Sequence, residues 1–150
     1  MTRSIARSVI AVVLALILAL ALIIGIELVS SMLHPLPPGL DPGDLEVLKG
    51  HVASYPPWVL LLAGLGWGLT TLLSAWLATR LGAKRHAAHG ILVGSILLVT
   101  AIANMLMLPY PMWFWILNLV GLPASFCLGA RLGSQGRRPH NPVTPPESAS

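Results

Sequence analysis

The sequence predicts an all-α fold, an antiparallel bundle of four transmembrane helices with one short helix in the outer loop. Three observations predict it. Four apolar runs cover residues 9–33, 58–79, 90–108 and 112–132, and a membrane crossing takes about 20 residues at 1.5 Å rise each. The composition is 55% hydrophobic and 9% charged, with mean hydropathy +0.80, whereas soluble domains carry about 25% charged residues. Eight of the nine basic residues fall on one side of a four-pass layout. No run alternates with period two, which argues against a β-barrel.

The same arithmetic excludes other classes. A soluble globular domain and a disordered chain are both too polar to match. Cys127 is the only cysteine, so no disulfide framework exists. A net charge of +4 and a pI near 10.0 would suggest nucleic acid in a soluble chain. Here the basic residues flank apolar runs, and an orientation signal explains them. The expected partner is the lipid bilayer, not nucleic acid.

Residues 1–8 form a cytoplasmic N-terminus carrying Arg3 and Arg7. The first span, 9–33, is interrupted only by Gly25, Glu27, Ser30 and Ser31. Arg3 and Arg7 ahead of Ala19-Leu20-Ala21 resemble a signal peptide with its cleavage site. The apolar run continues to Leu33, too long for a signal core, so an uncleaved anchor is expected. Residues 34–57 form the sizeable outer loop. It opens on a proline-rich stretch, Pro35 to Pro38, that cannot continue a helix. Asp41 as N-cap, Pro42 at the first position and Asp44 in the first turn predict a short helix. Leu45, Leu48 and Val52 share one face of it, which rests on the bundle or the lipid surface. The second and third spans flank a short inner loop with Arg80, Lys84 and Arg85. Pro109-Tyr110-Pro111 joins the third and fourth spans as a tight hairpin. Arg131, Arg137 and Arg138 follow the fourth span, and residues 134–150 read as a disordered cytoplasmic tail. Only Lys49 lies on the other side, beside Asp41, Asp44 and Glu46. The positive-inside rule then places both termini in the cytoplasm of a cell (inner) membrane protein.

A weak repeat is visible. Ala78-Thr79-Arg80-Leu81-Gly82 ends span two and Ala130-Arg131-Leu132-Gly133 ends span four. Duplication would give two like hairpins about an axis normal to the membrane. Common helix-end preferences produce the same matches without shared ancestry.

Lipid tails are as apolar as leucine, so helices in membranes associate through close backbone approach at small residues. Each span carries such a row: Ala11, Ala15 and Ala19; Gly64 and Gly68; Gly90 and Gly94; Gly121, Ser125, Gly129 and Gly133. Trp58, Trp113, Trp115, Tyr55 and Tyr110 are expected as an outer aromatic belt. Trp76 is expected to anchor the inner interface, with Trp67 packed mid-span.

Glu27 is the only acid within a span, and an intramembrane carboxylate suggests function. Counted from Arg7, it lies about 30 Å along a helix, near the outer boundary, where an interfacial carboxylate is the plainer reading. Glu27, Ser30, Ser31, Asn104 and Asn118 form a candidate outward-facing polar pocket. Interhelical hydrogen bonds that fix register are the plainer explanation of the two asparagines. His34, His51, Asp41, Asp44 and Glu46 share the outer loop without metal-ligand spacing, and capping explains the aspartates. His86 and His89 adjoin Lys84 and Arg85, where headgroup contact is simplest. There is no phosphate loop and no serine elbow, and no cofactor or metal is expected.

Residues 30–42, SSMLHPLPPGLDP, and residues 104–115, NMLMLPYPMWFW, resemble a family of small bacterial four-span membrane proteins without assigned activity. The resemblance covers roughly residues 9 to 133 and implies the same fold and no particular chemistry. Small multidrug transporters also carry a glutamate in the first of four spans. Here the acid stands nearer the boundary and the outer loop is longer, so that family is not assigned.

The sequence therefore leads first to a non-enzymatic scaffold whose outer loop meets a partner protein or lipid. The alternative is a small-solute or ion transporter, acting as a homo-oligomer through Glu27, Asn104 and Asn118. A membrane enzyme at the outer interface is the third reading. A cavity reaching Glu27 would favour the second or third over the first.

Overall fold

The computed structural model describes residues 2–135. Five α-helices follow in order: α1 (Thr2–Leu33), α2 (Leu45–Ala53), α3 (Pro57–Leu81), α4 (Ala88–Met107) and α5 (Met112–Ser134), with a 3-10 turn at Ala83–Arg85. α1, α3, α4 and α5 are each long and apolar enough to cross a membrane. Prolines set most boundaries. α1 stops two residues before Pro35 and α4 two residues before Pro109, because a residue preceding proline avoids the helical region. Pro57 opens α3 at its first position, where the missing N–H costs nothing.

Three boundaries differ from the sequence reading. α1 begins at Thr2 rather than at residue 9, because nothing in the Arg-, Ser- and Ala-containing lead breaks a helix. α2 begins at Leu45, capped by Asp44, whose side chain accepts from the Glu46 N–H. Asp41 instead accepts from the Gly43 N–H at 2.8 Å, an Asx turn that uses Asp41 and Pro42 before the helix starts. Ser134 is still helical; the disordered tail expected beyond it falls at 136–150, outside the described residues.

The chain crosses back and forth, so two ends are defined. The α2 end carries α2 and the α4–α5 turn. The basic end carries Arg7, Arg80, Lys84, Arg85 and Arg131. There Arg7 Nε donates to Leu81 O at 2.8 Å, and Arg80 donates to Gln135 O at 3.2 Å. Lys84 and Arg85 both take left-handed backbone angles, φ 56° and 47°, which costs an L-residue about 1–2 kcal/mol.

α3 is the centre of the bundle, packing on α5, α1 and α4. α5 also packs on α4, whereas α1 touches α4 lightly and makes no extended contact with α5. A duplicated pair of hairpins would make the α1–α5 and α3–α4 contacts equivalent, and they are not. Small residues explain most of the close approaches. Ala11, Ala15 and Ala19 are buried along one stripe of α1. A Cβ on Gly129 would meet the α3 backbone at Leu72 and Trp76, and one on Gly94 would meet the Phe126 ring. Gly64 and Gly90 are similarly tight against Leu117 and Ala75 O. The row expectation fails at three positions. Gly121 has nothing within 4 Å of a built Cβ, and Gly68 meets only Ser125 Oγ at 3.4 Å. Gly68, Gly121 and Ser125 line an open groove between α3 and α5, together with Leu65, Leu69 and Leu117.

Two packed layers result. Near the basic end, Ala15, Ala78 and Val93 bring α1, α3 and α4 together, with Leu97 above them. Near the α2 end, Leu60, Met105 and Phe114 form a bulkier layer with Tyr55, Trp67 and Tyr110 packed on it.

Candidate functional site

Between the two layers lies a cavity of about 110 Å³, several times the ~10–15 Å³ that one water requires. α1 contributes Ile23 and Glu27, α3 contributes Trp67, Thr70 and Thr71, and α4 contributes Leu97, Thr100, Ala101 and Asn104. Leu122 of α5 completes it. Its shape follows from the packing. Alanines draw the helices together below, the aromatic layer fills the space above, and α1 and α4 stand apart between them.

Glu27 is the only charged residue lining the cavity. A Cβ on Gly66 would lie 2.9 Å from Ile26 Cδ1, so Glu27 is level with Gly66 and Trp67. Gly66 is nine residues inside α3 from Pro57, about 14 Å along the helix.

The α4 wall is held by a defined contact. Tyr110 donates its hydroxyl to Asn104 Oδ1 at 3.2 Å. With Oδ1 engaged, the Asn104 amide offers Nδ2–H donors. Tyr110 is itself fixed by stacking on Phe114, with ring centroids 4.7 Å apart, and by the edge of Trp67 at 6.3 Å. Burial, then the Glu27 charge and Tyr55, push the Tyr110 phenol well above its ordinary range, so it remains a neutral donor. Thr100 donates to Ile96 O at 2.9 Å and keeps its oxygen lone pairs free. The Trp67 indole N–H is buried without a hydrogen-bond partner.

Of the five residues grouped from sequence, only Glu27 and Asn104 meet. Ser31 is exposed and donates to Leu28 O of its own helix at 2.8 Å. Ser30 is buried on the other side of α1, against Leu62 and Ala63 of α3. Asn118 donates to Phe114 O at 2.9 Å and lines the separate α3–α5 groove. A helix turns about 100° per residue, so neighbours in sequence diverge to different faces. Sequence reasoning missed Trp67, Thr70, Thr71, Thr100 and Tyr110. The hydroxyls within apolar runs were the available signal. Tyr110, expected in the outer belt, lies half-buried in the α4–α5 turn at the α2 end. Trp58, Trp113 and Trp76 are exposed as belt residues are.

Above the cavity, the loop carries a second cluster. His34 and His51 stack at 4.8 Å, and Tyr55 meets both rings edge-on at 4.9 and 5.0 Å. His34 Nε2 lies 3.0 Å from Ser54 Oγ. Burial and the neighbouring His34 hold the His51 imidazole below its ordinary value, against a backbone hydrogen bond that raises it. Burial and the Glu27 charge push the Tyr55 phenol up. Among the described residues no three His, Cys, Asp or Glu side chains gather as a metal cluster. Only Val52 of the predicted α2 face is buried, while Leu45 is 40% exposed.

The fold defines the class: an all-α bundle of four helices long and apolar enough to cross a membrane. No family model, curated protein or solved structure matches the chain.

Proposed function

We propose that the chain is a small-solute transporter of a cell membrane, with a cation site at Glu27. The observation that carries this is the cavity between two packed layers, whose single charge is a carboxylate. A carboxylate inside the hydrocarbon depth needs a compensating charge or a proton. Among the described residues no basic side chain lines the cavity, so a solute cation is the complementary partner. Trp67 lines the same cavity, and an indole beside a carboxylate favours an organic ammonium. Eight basic residues on one side orient the bundle with the α2 end outward and both termini inside, so the site faces the outer half.

The test is uptake of radiolabelled ethylammonium into proteoliposomes. Wild type should exceed protein-free liposomes, and Glu27→Gln should return flux to that background while keeping wild-type helicity. Flux in Glu27→Gln equal to wild type would remove the proposal.

The scaffold reading draws on the loop surface, where Leu40 and Leu45 are 46% and 40% exposed. Native mass spectrometry from nanodiscs separates the two. Co-released protein lost on truncating that surface supports a scaffold, and retained ammonium supports transport.

A further inference from the structure

The cavity is chemically two-sided, and this points to a narrower class of solute. The α1 wall presents the Glu27 carboxylate. The α4 wall presents Asn104, whose orientation is set by a residue outside the cavity. Tyr110 donates to Asn104 Oδ1 at 3.2 Å, which takes one of the two lone pairs of that oxygen and orients the amide, while its Nδ2–H groups have no hydrogen-bond partner among the described residues. Tyr110 cannot readily turn away, since it is stacked at 18° on Phe114, a fully buried residue. A plain alkylammonium would satisfy Glu27 and leave the Asn104 N–H without a partner. An ammonium that also carries a hydrogen-bond acceptor satisfies both.

Resting on the cation-site reading, we propose that the solute is a small amino alcohol or similar amine bearing one acceptor oxygen. Glu27 binds its ammonium, and Asn104 donates to its oxygen. Tyr110 is the positioning residue that holds the Asn104 amide in its donor orientation. A volume of about 110 Å³ accommodates a solute of a few heavy atoms. A neutral hydrogen bond contributes about 0.5–1.5 kcal/mol net, so ethanolamine should bind up to about tenfold more tightly than ethylammonium.

The experiment is competition of radiolabelled ethylammonium by ethanolamine on the full-length protein in nanodiscs. Wild type should prefer ethanolamine by several-fold to tenfold. Asn104→Leu should bring the preference for ethanolamine over ethylammonium within twofold. Tyr110→Phe should narrow the same ratio, and it retains the ring stacking if Asn104→Leu does not fold. A merely structural role for Tyr110 would weaken both probes alike. Ethylammonium binding that is lost in Glu27→Gln, with no ethanolamine preference or one that survives both α4-side variants, overturns this inference alone. Absence of ethylammonium binding to wild type overturns the cation site and this inference together.

Discussion

Gly129 and Gly121 stand eight residues apart on α5, within one row of small residues, and the structure assigns them different responses to the same substitution. A Cβ on Gly129 would lie 3.1 Å from both the Leu72 carbonyl carbon and the Trp76 nitrogen, and closer still to Leu72 O. These are α3 backbone atoms and cannot rotate aside. Gly129→Ala therefore forces α3 and α5 apart, an overpacking that costs about 1–3 kcal/mol. Around Gly121 nothing lies within 4 Å of a built Cβ. Gly121→Ala adds about 1 kcal/mol of helix propensity without a clash. The propensity gain is common to both variants, so they should differ by the overpacking cost, about 1–3 kcal/mol, with Gly121→Ala the more stable. Unfolding by sodium dodecyl sulfate in mixed micelles, followed by tryptophan fluorescence, measures this. Equal midpoints for the two variants would show that close approach at Leu72 does not hold the bundle, and the packing argument would fail.

Further outcomes are expected. The His51 imidazole is held below its ordinary value near 6.5, so the packed loop favours its neutral form. That preference is fully present above about pH 6.5 and is lost as pH falls below it. The protection factors of the α2 amides, which correct for the intrinsic pH dependence of exchange, should be lower at pH 5.5 than at 7.5, and His51→Gln should flatten the difference; equal protection of wild type at both values would contradict this. The neighbours of His51 are His34 and Tyr55, and Lys49 is already paired with Glu46 at 2.8 Å. Asp44→Ala removes the α2 cap and should cost about 1 kcal/mol of local helix stability, read as earlier protease cleavage near Leu45; unchanged cleavage would argue that the loop packing alone holds α2. Lys84→Gly should stabilise the protein by about 1 kcal/mol relative to Lys84→Ala, because both remove the charge and only glycine relieves the φ of 56°. Equal thermal midpoints for that pair would show no strain there.

The four spans were legible because hydrocarbon imposes one rule on a long run of residues, and α1, α3, α4 and α5 obey it. The short loop helix was legible from its aspartates, although Asp44 and not Asp41 caps it. Which small residues pack was only partly legible. Gly129 and Gly121 carry the same local signal, and bulk supplied by another helix decides between them. The site was legible as far as Glu27 and Asn104, each conspicuous in an apolar run. Their companions were not, since Thr70 and Thr100 reach the cavity through helix rotation, and Tyr110 acts on it from the α4–α5 turn through Asn104. Pattern along one helix says which residues share a face, not which face of a neighbour they meet.

The dependence of α1 on α3 has a consequence for biogenesis. α1 is made before α3, and α3 is its principal neighbour. Completing α3 after α1 takes 48 further residues, from Leu33 to Leu81, a few seconds at about 5–20 residues per second. During that interval the alanine stripe of α1 has no helix against it and Glu27 has no surrounding hydroxyls. The nascent chain is then a single hydrophobic segment bearing an unsheltered acid. Anything that delays arrival of α3, such as a longer connecting loop or a slowly translated stretch, lengthens that interval without altering the finished bundle.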